Sequence, residues 1–408
     1  MVAPLEGVRV LEVAGWMAAP GATAILADLG ADVVKVEPLR GDAVRGVIRQ
    51  PVLPESGEPV DAAYQMDNRG KRGIAVALDR PEGGDLIRRL VTSADVFVNN
   101  LLARRQAKFG LDADTLLAVN PRLVHATMTG YGLQGPDATR AGFDITAFFG
   151  RGGITHAITE PGSQAPRSRA AQGDHTAALA LVTAILTALR MVETTGEGQV
   201  VDVNLFATAA WTIATDLSAT LVDGENPPST GRRYRNHALH ESFRCADDRW
   251  ILLFMPEPHW WPRFCEAVGH PEWASDPRFE TVLTRREHMP EVTDLMDALF
   301  ATRTLAGWGR LFDEHRFIWG PAATMAELAA YPQAEAIGLF PEVPLAGGGT
   351  ARTVAAPMHI RGVDISPRGA APRVGEHTRA VLTEAGLSGD ELAALVEAGV
   401  VAEGASPD

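Results

Sequence analysis

Residues 8–37 read VRVLEVAGWMAAPGATAILADLGADVVKVE, and the fold class follows from this stretch. Val8 to Val13 is a short apolar run of the kind shown by a strand buried on both faces. Ala18 to Leu29 is small and apolar throughout, and Pro20 falls in the first turn of the implied helix, where a missing N–H costs least. Asp32 to Glu37 reads as a second strand. Strand, helix, strand in that order is a βαβ unit, with parallel pairing and a right-handed crossover. The pattern recurs downstream: Ile74 to Ala77 is strand-like, Gly83 to Ser93 helical, Val96 to Asn99 and Leu123 to Thr129 strand-like again. The expected architecture is α/β, beginning with a Rossmann-like domain.

A βαβ start invites a dinucleotide, and Glu37 ends the second strand where an acidic residue would hold a ribose. The turn after the first strand, however, is AGWMAAPG (14–21) rather than G-x-G-x-x-G. Trp16 and Met17 stand where bare backbone would have to approach a pyrophosphate. A Rossmann-like scaffold without a dinucleotide is the better reading.

Further along, Asp174 to Thr194 forms one long apolar helical run, stopped by Gly196 and Gly198, and Gln199 to Leu205 follows as a strand. Asn226 to Thr230 (NPPST) is a turn-rich break. Beyond it Trp250 to Phe254 reads as a strand, and the aromatics Trp250, Trp260, Trp261, Phe264 and Trp273 suggest the core of a small domain rather than a substrate pocket. The glycines at 347–349 mark a hairpin or loop, Glu376 to Ala398 reads as two short helices, and disorder is expected only near Gly404 to Asp408. A chain of 408 residues exceeds one core. The division expected is a large Rossmann-like domain of residues 1–205 and 335–408 and a smaller α+β domain of 226–330, with 206–225 and 331–334 as linkers.

A net charge of −14 repels phosphate backbones, so nucleic acid is not an expected partner. Two cysteines, Cys245 and Cys265, with no CxxC pair argue against structural zinc and fit a reducing compartment. The N-terminus lacks the look of a signal peptide, and no window of about 18 apolar residues stands out as a membrane span, Thr176 to Met191 coming nearest. A cytoplasmic protein with no membrane partner is expected.

Asp174, in the stretch GDHTAALALVTAILTAL (173–189), admits two readings. Aspartate before a helix is a common N-cap, accepting N–H groups of the first turn. The same position also suits a nucleophile: the helix dipole favours the ionised carboxylate, an ionised carboxylate can attack a thioester carbonyl, and nearby N–H groups can hold the resulting oxyanion.

Together with PLEGVRVLEV (4–13), LADLGADVVKVEP (26–38), the GD of 41–42, NRGKRGIAV (68–76), ADVFVNN (94–100), TGEGQVVDV (195–203), HPEWASDPRF (270–279) and GEHTRAVLTEAGL (375–387), that stretch makes the chain resemble the family III (CaiB/BaiF-type) CoA-transferases over nearly its whole length. The resemblance implies an acyl-CoA and a carboxylic acid as substrates, no permanently bound cofactor and no metal. It also implies an interlocked homodimer. The family's nucleophile falls on Asp174: attack on the acyl-CoA gives a mixed anhydride, CoA thiolate converts it to an aspartyl-CoA thioester, and an incoming acid then takes the CoA. For coenzyme A itself, the resemblance places Trp16 and Met17 beside the thiol arm and Pro38 and Arg40 near the nucleotide. Lys71, Arg72 and Val76 fall at the adenine end, with Asn100, Leu101, Lys108 and Phe109 along the pantetheine and phosphates.

Two departures matter. The α-methylacyl-CoA racemases, which look much like these transferases, use a His in a G-H-D-like motif; here it reads AGFD (141–144), and the Phe143 ring moves no proton. His156 and His175 are the only nearby substitutes, so a racemase-like enzyme is the alternative, and a CoA-binding protein without catalysis is a second one. The glycine-rich lid of the formyl-CoA transferases is also missing: the comparable region is GRRYRNHALHESFRCADDRW (231–250), where Arg232, Arg233, Arg235, His237 and His240 form either a positive wall for an acidic substrate or a solvated basic linker.

Overall fold

The computed structural model describes residues 3–47, 60–227, 231, 237–345 and 348–404. The quoted stretch folds as read: strand β1 (Arg9–Val13), helix α1 (Ala18–Asp28) and strand β2 (Asp32–Glu37), with β1 and β2 parallel from Arg9↔Asp32 to Glu12↔Lys35. Helix α2 (Ala62–Asn68), capped by the Asp61 carboxylate, precedes β3 (Arg72–Val76). Then come α3 (Pro81–Val91), which starts on Pro81, and β4 (Val96–Asn99). Helices α4 (Ala103–Phe109) and α5 (Ala113–Val119), absent from the sequence expectation, lead to β5 (Val124–Thr129). The long helix Gln172–Thr195 and β6 (Gln199–Asn204) complete the first half.

Among the later strands are β7 (His240–Arg244), β8 (Trp250–Phe254), β9 (Trp319–Pro321), the antiparallel pair β10 (Glu342–Pro344) and β11 (Thr350–Arg352), and β12 (Val401–Ala402). The expected hairpin at 347–349 lies between β10 and β11, with residues 346–347 outside the described ones. So do residues 228–230 of the NPPST break and 405–408 of the tail.

The large sheet runs β12-β3-β2-β1-β4-β5-β6, and every pair is parallel except β12 on β3. Setting β12 aside, this is the doubly wound order 3-2-1-4-5-6, whose direction reverses between β1 and β4. The loops leaving those two strands must diverge, and the crevice they open is where such sheets bind ligands.

Side-chain alternation along β1 builds both faces. Val10 and Ala14 join the core formed with α1 and the long helix; Leu11 and Val13 join the opposite core with α3, Leu116 of α5 and the C-terminal helices Thr378–Glu384 and Gly389–Glu397. Burying a Val or Leu is worth roughly 1.5–3 kcal/mol, so the alternation fixes which way Glu12, between Leu11 and Val13, points. The long helix is 24 residues and apolar enough, by length and composition, to cross a membrane, which corrects the expectation that no such window exists. Here its Ala177, Leu181, Val182, Ile185 and Ala188 form the core against α1.

By proximity of backbone positions the chain divides into two units, residues 1–156, 167–218 and 332–408, and residues 157–166 and 219–331. The second has its own antiparallel sheet, β7-β8-β9, and an aromatic core in which Trp261 and Phe264 are buried, whereas Trp250 is exposed on the outer face of β8. Both cysteines are buried there as free thiols, burial pushing Cys245 up to about 11 and Cys265 up to about 12.

Candidate active site

The turn leaving β1 carries the first unusual backbone. Trp16 has φ +66, a conformation that costs a non-glycine residue about 1–3 kcal/mol. Three anchors hold it. The Asn100 amide, just after β4, clamps Gly15 on both sides, donating to its carbonyl at 2.7 Å and accepting its N–H at 3.3 Å. Asp42 Oδ1 accepts the Trp16 N–H at 3.2 Å. A Cβ on residue 15 would stand 3.1 Å from that same Oδ1, so Gly15 leaves the room the anchor needs.

Asp42 in turn ends a buried ionic chain. Lys35 Nζ lies 3.0 Å from Asp42 Oδ2 and 2.8 Å from Glu12 Oε1, and Lys71 Nζ lies 2.7 Å from Glu12 Oε2. The Thr23 hydroxyl of α1 donates to the same Glu12 Oε2. Burial by itself would raise the Glu12 carboxyl; the two ammonium groups outweigh it and hold it at about 2. Lys71, expected at the adenine end of coenzyme A, is corrected here. It is 3% exposed and donates to Glu12, the Pro20 and Asp67 carbonyls and Asn68, with no donor left for a phosphate.

The second wall comes from the long helix. Its N-cap is Ala171, with φ +67, and Asp174 is the third helical residue, so the N-cap reading of Asp174 is corrected. Asp144 lies at this end of the helix: its Oδ1 accepts the N–H of Ile145 at 2.7 Å, and burial raises its carboxyl although the nearby N–H groups of Ile145, Gly173 and Ala171 oppose the rise. The glycine before Asp174 is needed for that approach: a Cβ on residue 173 would stand 2.7 Å from the Phe148 ring and 2.9 Å from Asp144 Cβ. The Asp174 carboxylate accepts no hydrogen bond among the described residues.

Burial, then the nearby Asp144 and Asp67 carboxylates, push Asp174 up to about 7 against the pull of His175. The expectation that the helix dipole keeps it ionised is corrected by magnitude. A terminus is worth about 0.3–1 kcal/mol, while a rise from 3.8 to about 7 corresponds to roughly 4 kcal/mol. His175 turns the other way, its Nε2 3.0 Å from Asp67 Oδ1, and that bond raises its own pKa above the usual imidazole value although burial opposes it. His156 is exposed.

A cavity of about 330 Å³ brings these parts together: Trp16, Asn100, Leu101, Phe143 and Asp174 all line it. Arg104, Arg105 and Arg140 line it too, and sequence reasoning missed all three. The adjacent pair Arg104–Arg105 on α4, just past the Asn99–Asn100 end of β4, was the available signal. Arg105 also lines a second cavity of about 550 Å³ containing Pro38, Arg40, Val76 and Phe109, so four expected contacts meet there. Three stand apart from both. Arg72 faces the N-terminal end of the sheet, paired with Asp32 and Glu384. Met17 is buried beside Tyr64 and Val44. Lys108 lies over the outer side of the Phe109 ring, at 5.6 Å.

Of the suggested basic wall, Arg232, Arg233 and Arg235 lie outside the described residues. His237 is pulled below the usual imidazole pKa by burial, and His240 packs edge-on against Phe254 in the second unit.

Known proteins resemble this chain over nearly its whole length. The family model described as CoA-transferase family III matches residues 5–378. The chain is 30% identical to the (R)-2-hydroxy-4-methylpentanoate CoA-transferase of Clostridioides difficile, over 95% of this chain and 97% of that one. It is 33% identical to the succinate–glutarate CoA-transferase of Agrobacterium fabrum, over 93% and 95%. A CAIB/BAIF family protein from Brucella suis superposes with TM-score 0.84 at 31% identity, covering 94% of this chain and all of that one.

Proposed function

The chain belongs to CoA-transferase family III and is an enzyme of that type, and from that premise we propose that it moves coenzyme A from an acyl-CoA to a carboxylic acid through a covalent aspartyl-CoA thioester on Asp174. The observation that carries this reading is an Asp174 carboxylate left without a hydrogen-bond partner among the described residues, in a cavity at the β1/β4 switch point.

The nucleotide of an acyl-CoA fits the larger cavity, between Arg40, Arg80 and Phe109. Arg105, common to both cavities, sits where the diphosphate would cross into the smaller one. The thioester then meets Asp174. The ionised carboxylate adds to the thioester carbonyl, the C–S bond breaks, and a mixed anhydride and CoA thiolate result. Thiolate attack on the aspartyl carbonyl releases the acyl group as carboxylate and leaves aspartyl-CoA. An acceptor carboxylate reverses the sequence and departs as the new acyl-CoA. Every carbonyl carbon stays at the oxidation level of a carboxylic acid, so no redox partner is consumed.

The relatives' names span branched 2-hydroxy acids and straight dicarboxylic acids. Both classes carry a polar group beyond the reacting carboxyl, which Arg104 or Arg140 could meet. Racemisation is the weaker reading, since Phe143 faces the cavity where an imidazole would be needed and His175 is turned to Asp67. A CoA-binding protein without catalysis would give Asp174 only a capping task, yet Asp174 lies inside the helix, whose N-cap is Ala171. We further propose a cytoplasmic homodimer of interlocked chains, with 206–225 and 331–334 as the linking segments. Trp211, Leu221 and Val222, at 81%, 78% and 89% exposure in one chain, are apolar side chains such a partner would cover.

The test is trapping. The protein is incubated with a panel of acyl-CoAs spanning dicarboxylic and 2-hydroxy acids, quenched with hydroxylamine, and digested for mass spectrometry. A hydroxamate on Asp174 that depends on thioester is expected. Its absence with a donor that is turned over, together with deuterium uptake at the α-carbon, would overturn the reading in favour of racemisation.

A further inference from the structure

The cavity around Asp174 has an aromatic rim. The Trp16 and Phe143 rings meet edge to face, centroids 4.9 Å apart and planes at 71°, and both line the cavity that holds Asp174. Phe143 is 50% exposed, so its ring reaches from the cavity out to solvent. Exposing half a large apolar side chain costs stability unless the position does something else.

The backbone that carries each ring is anchored. Trp16 is held in its left-handed conformation by Asp42 and by the Asn100 clamp on Gly15. Phe143 donates its N–H to Thr146 Oγ1 at 3.1 Å and accepts the Ala147 N–H at 2.8 Å, at the head of the π-helical turn Ile145–Arg151. A strained residue and a π-turn, on two separate chain segments, thus converge on one ring pair beside the carboxylate. Strain of this kind persists where the surrounding structure over-determines it, and it gathers at working sites.

We propose that Trp16 and Phe143 are specificity-determining residues that exclude water from the enzyme-bound thioester, and so choose a carboxylate over water as the acceptor. This rests on the aspartyl-CoA reading above. The competing step is simple: water adds to the aspartyl carbonyl, a C–O bond forms, the C–S bond breaks, and CoA thiol, the free Asp174 carboxylate and a proton are released. Each such event spends an acyl-CoA without transfer. The Phe143 ring offers no donor or acceptor to order a water and Trp16 offers only its indole N–H, whereas Arg104, and Arg140 beside its partner Asp137, bring positive charge to the cavity for a substrate carboxylate. The pair also answers what replaces the missing glycine-rich lid.

The experiment uses the full-length protein and the panel donor that labels Asp174 most. Wild type, Phe143→Ala, Phe143→Leu and Trp16→Ala are compared for thiol release with and without acceptor acid, and for transferred product. Phe143→Ala and Trp16→Ala should raise the ratio of hydrolysis to transfer by about tenfold or more, with Phe143→Leu in between. A merely structural role would lower both rates together. An unchanged ratio in variants that still label at Asp174 would overturn the proposal alone; absence of label in the wild type would overturn the aspartyl-CoA reading and this one with it.

Discussion

Glu12 and Asp174 are carboxylates of the same unit, both removed from water, and they are treated in opposite ways. Glu12 is wholly buried but bonded by two ammonium groups and a hydroxyl, and is held at about 2. Asp174 is less buried yet pushed up to about 7, with two other carboxylates near it and only His175 to offset them. The difference teaches what each is for. A buried charge whose partners are all supplied is a fixed part of the scaffold, and this one holds the strained Trp16 turn through Lys35 and Asp42. A buried charge left unsatisfied is destabilised in its ground state, and a carboxylate in that condition gains by forming a covalent bond that removes its charge.

The sharpest way to break this contrast is to remove Asp174. Asp174→Ala should lower kcat for transfer by about 10⁴-fold or more, with the fold retained by circular dichroism. Retained turnover would place the reactive group elsewhere. Glu12→Ala attacks the other side. It leaves Lys35 and Lys71 buried without their carboxylate and should cost about 3–5 kcal/mol in denaturant unfolding, where a loss under about 1 kcal/mol would mean that the network is not a scaffold.

The raised pKa supplies two finer tests. In the free enzyme kcat/KM should fall about tenfold per pH unit below 7 and level off above it, since only ionised Asp174 attacks. A limb centred near 4 would show a carboxylate that the site leaves in the usual range. For stability the sign is opposite to that of a paired carboxylate. The unfolded chain ionises near 3.8 and the folded one near 7, so the protein loses stability as pH rises between them, and above 7 the loss is constant. Asp174→Asn should therefore leave stability unchanged below pH 4 and raise it by roughly 2 kcal/mol at pH 8, the full shift being discounted for solvent contact. Smallest of all, Arg72→Ala should leave KM for acyl-CoA within about twofold, since Arg72 faces the opposite end of the sheet; Arg105→Ala should raise KM about tenfold.

Much of this was readable in the chain. Strands Asp32–Glu37, Val96–Asn99 and Trp250–Phe254 lie where their apolar runs put them, because β-branched and aromatic residues favour a strand whether one face is buried or both. The glycine–aspartate pair at the start of the long helix drew attention to Asp174, which the structure places in a cavity, although it had also suggested a cap. What escaped was set by partners distant in sequence. Asp144 comes to the start of the long helix from about thirty residues upstream and raises the Asp174 carboxyl, and no local pattern shows which distant carboxylate will lie there. Lys71 looked like any surface cation, because the acceptors that saturate it come from β1, α1 and α2. Helices α4 and α5 are seven residues each, too short for periodicity to announce.

By itself, then, the sequence determined the doubly wound scaffold, the absence of a dinucleotide fingerprint and the family, and it singled out Asp174 as the proposed nucleophile. Those follow from patterns whose meaning is local: apolar periodicity, turn residues and short motifs. Only the tertiary structure decided which charges are spent on the scaffold and which remain free to react, which of the expected contacts share a cavity, and that two aromatic rings from separate segments meet beside Asp174. Electrostatics and burial depend on distances between residues far apart in the chain, and those distances exist only once the chain has folded.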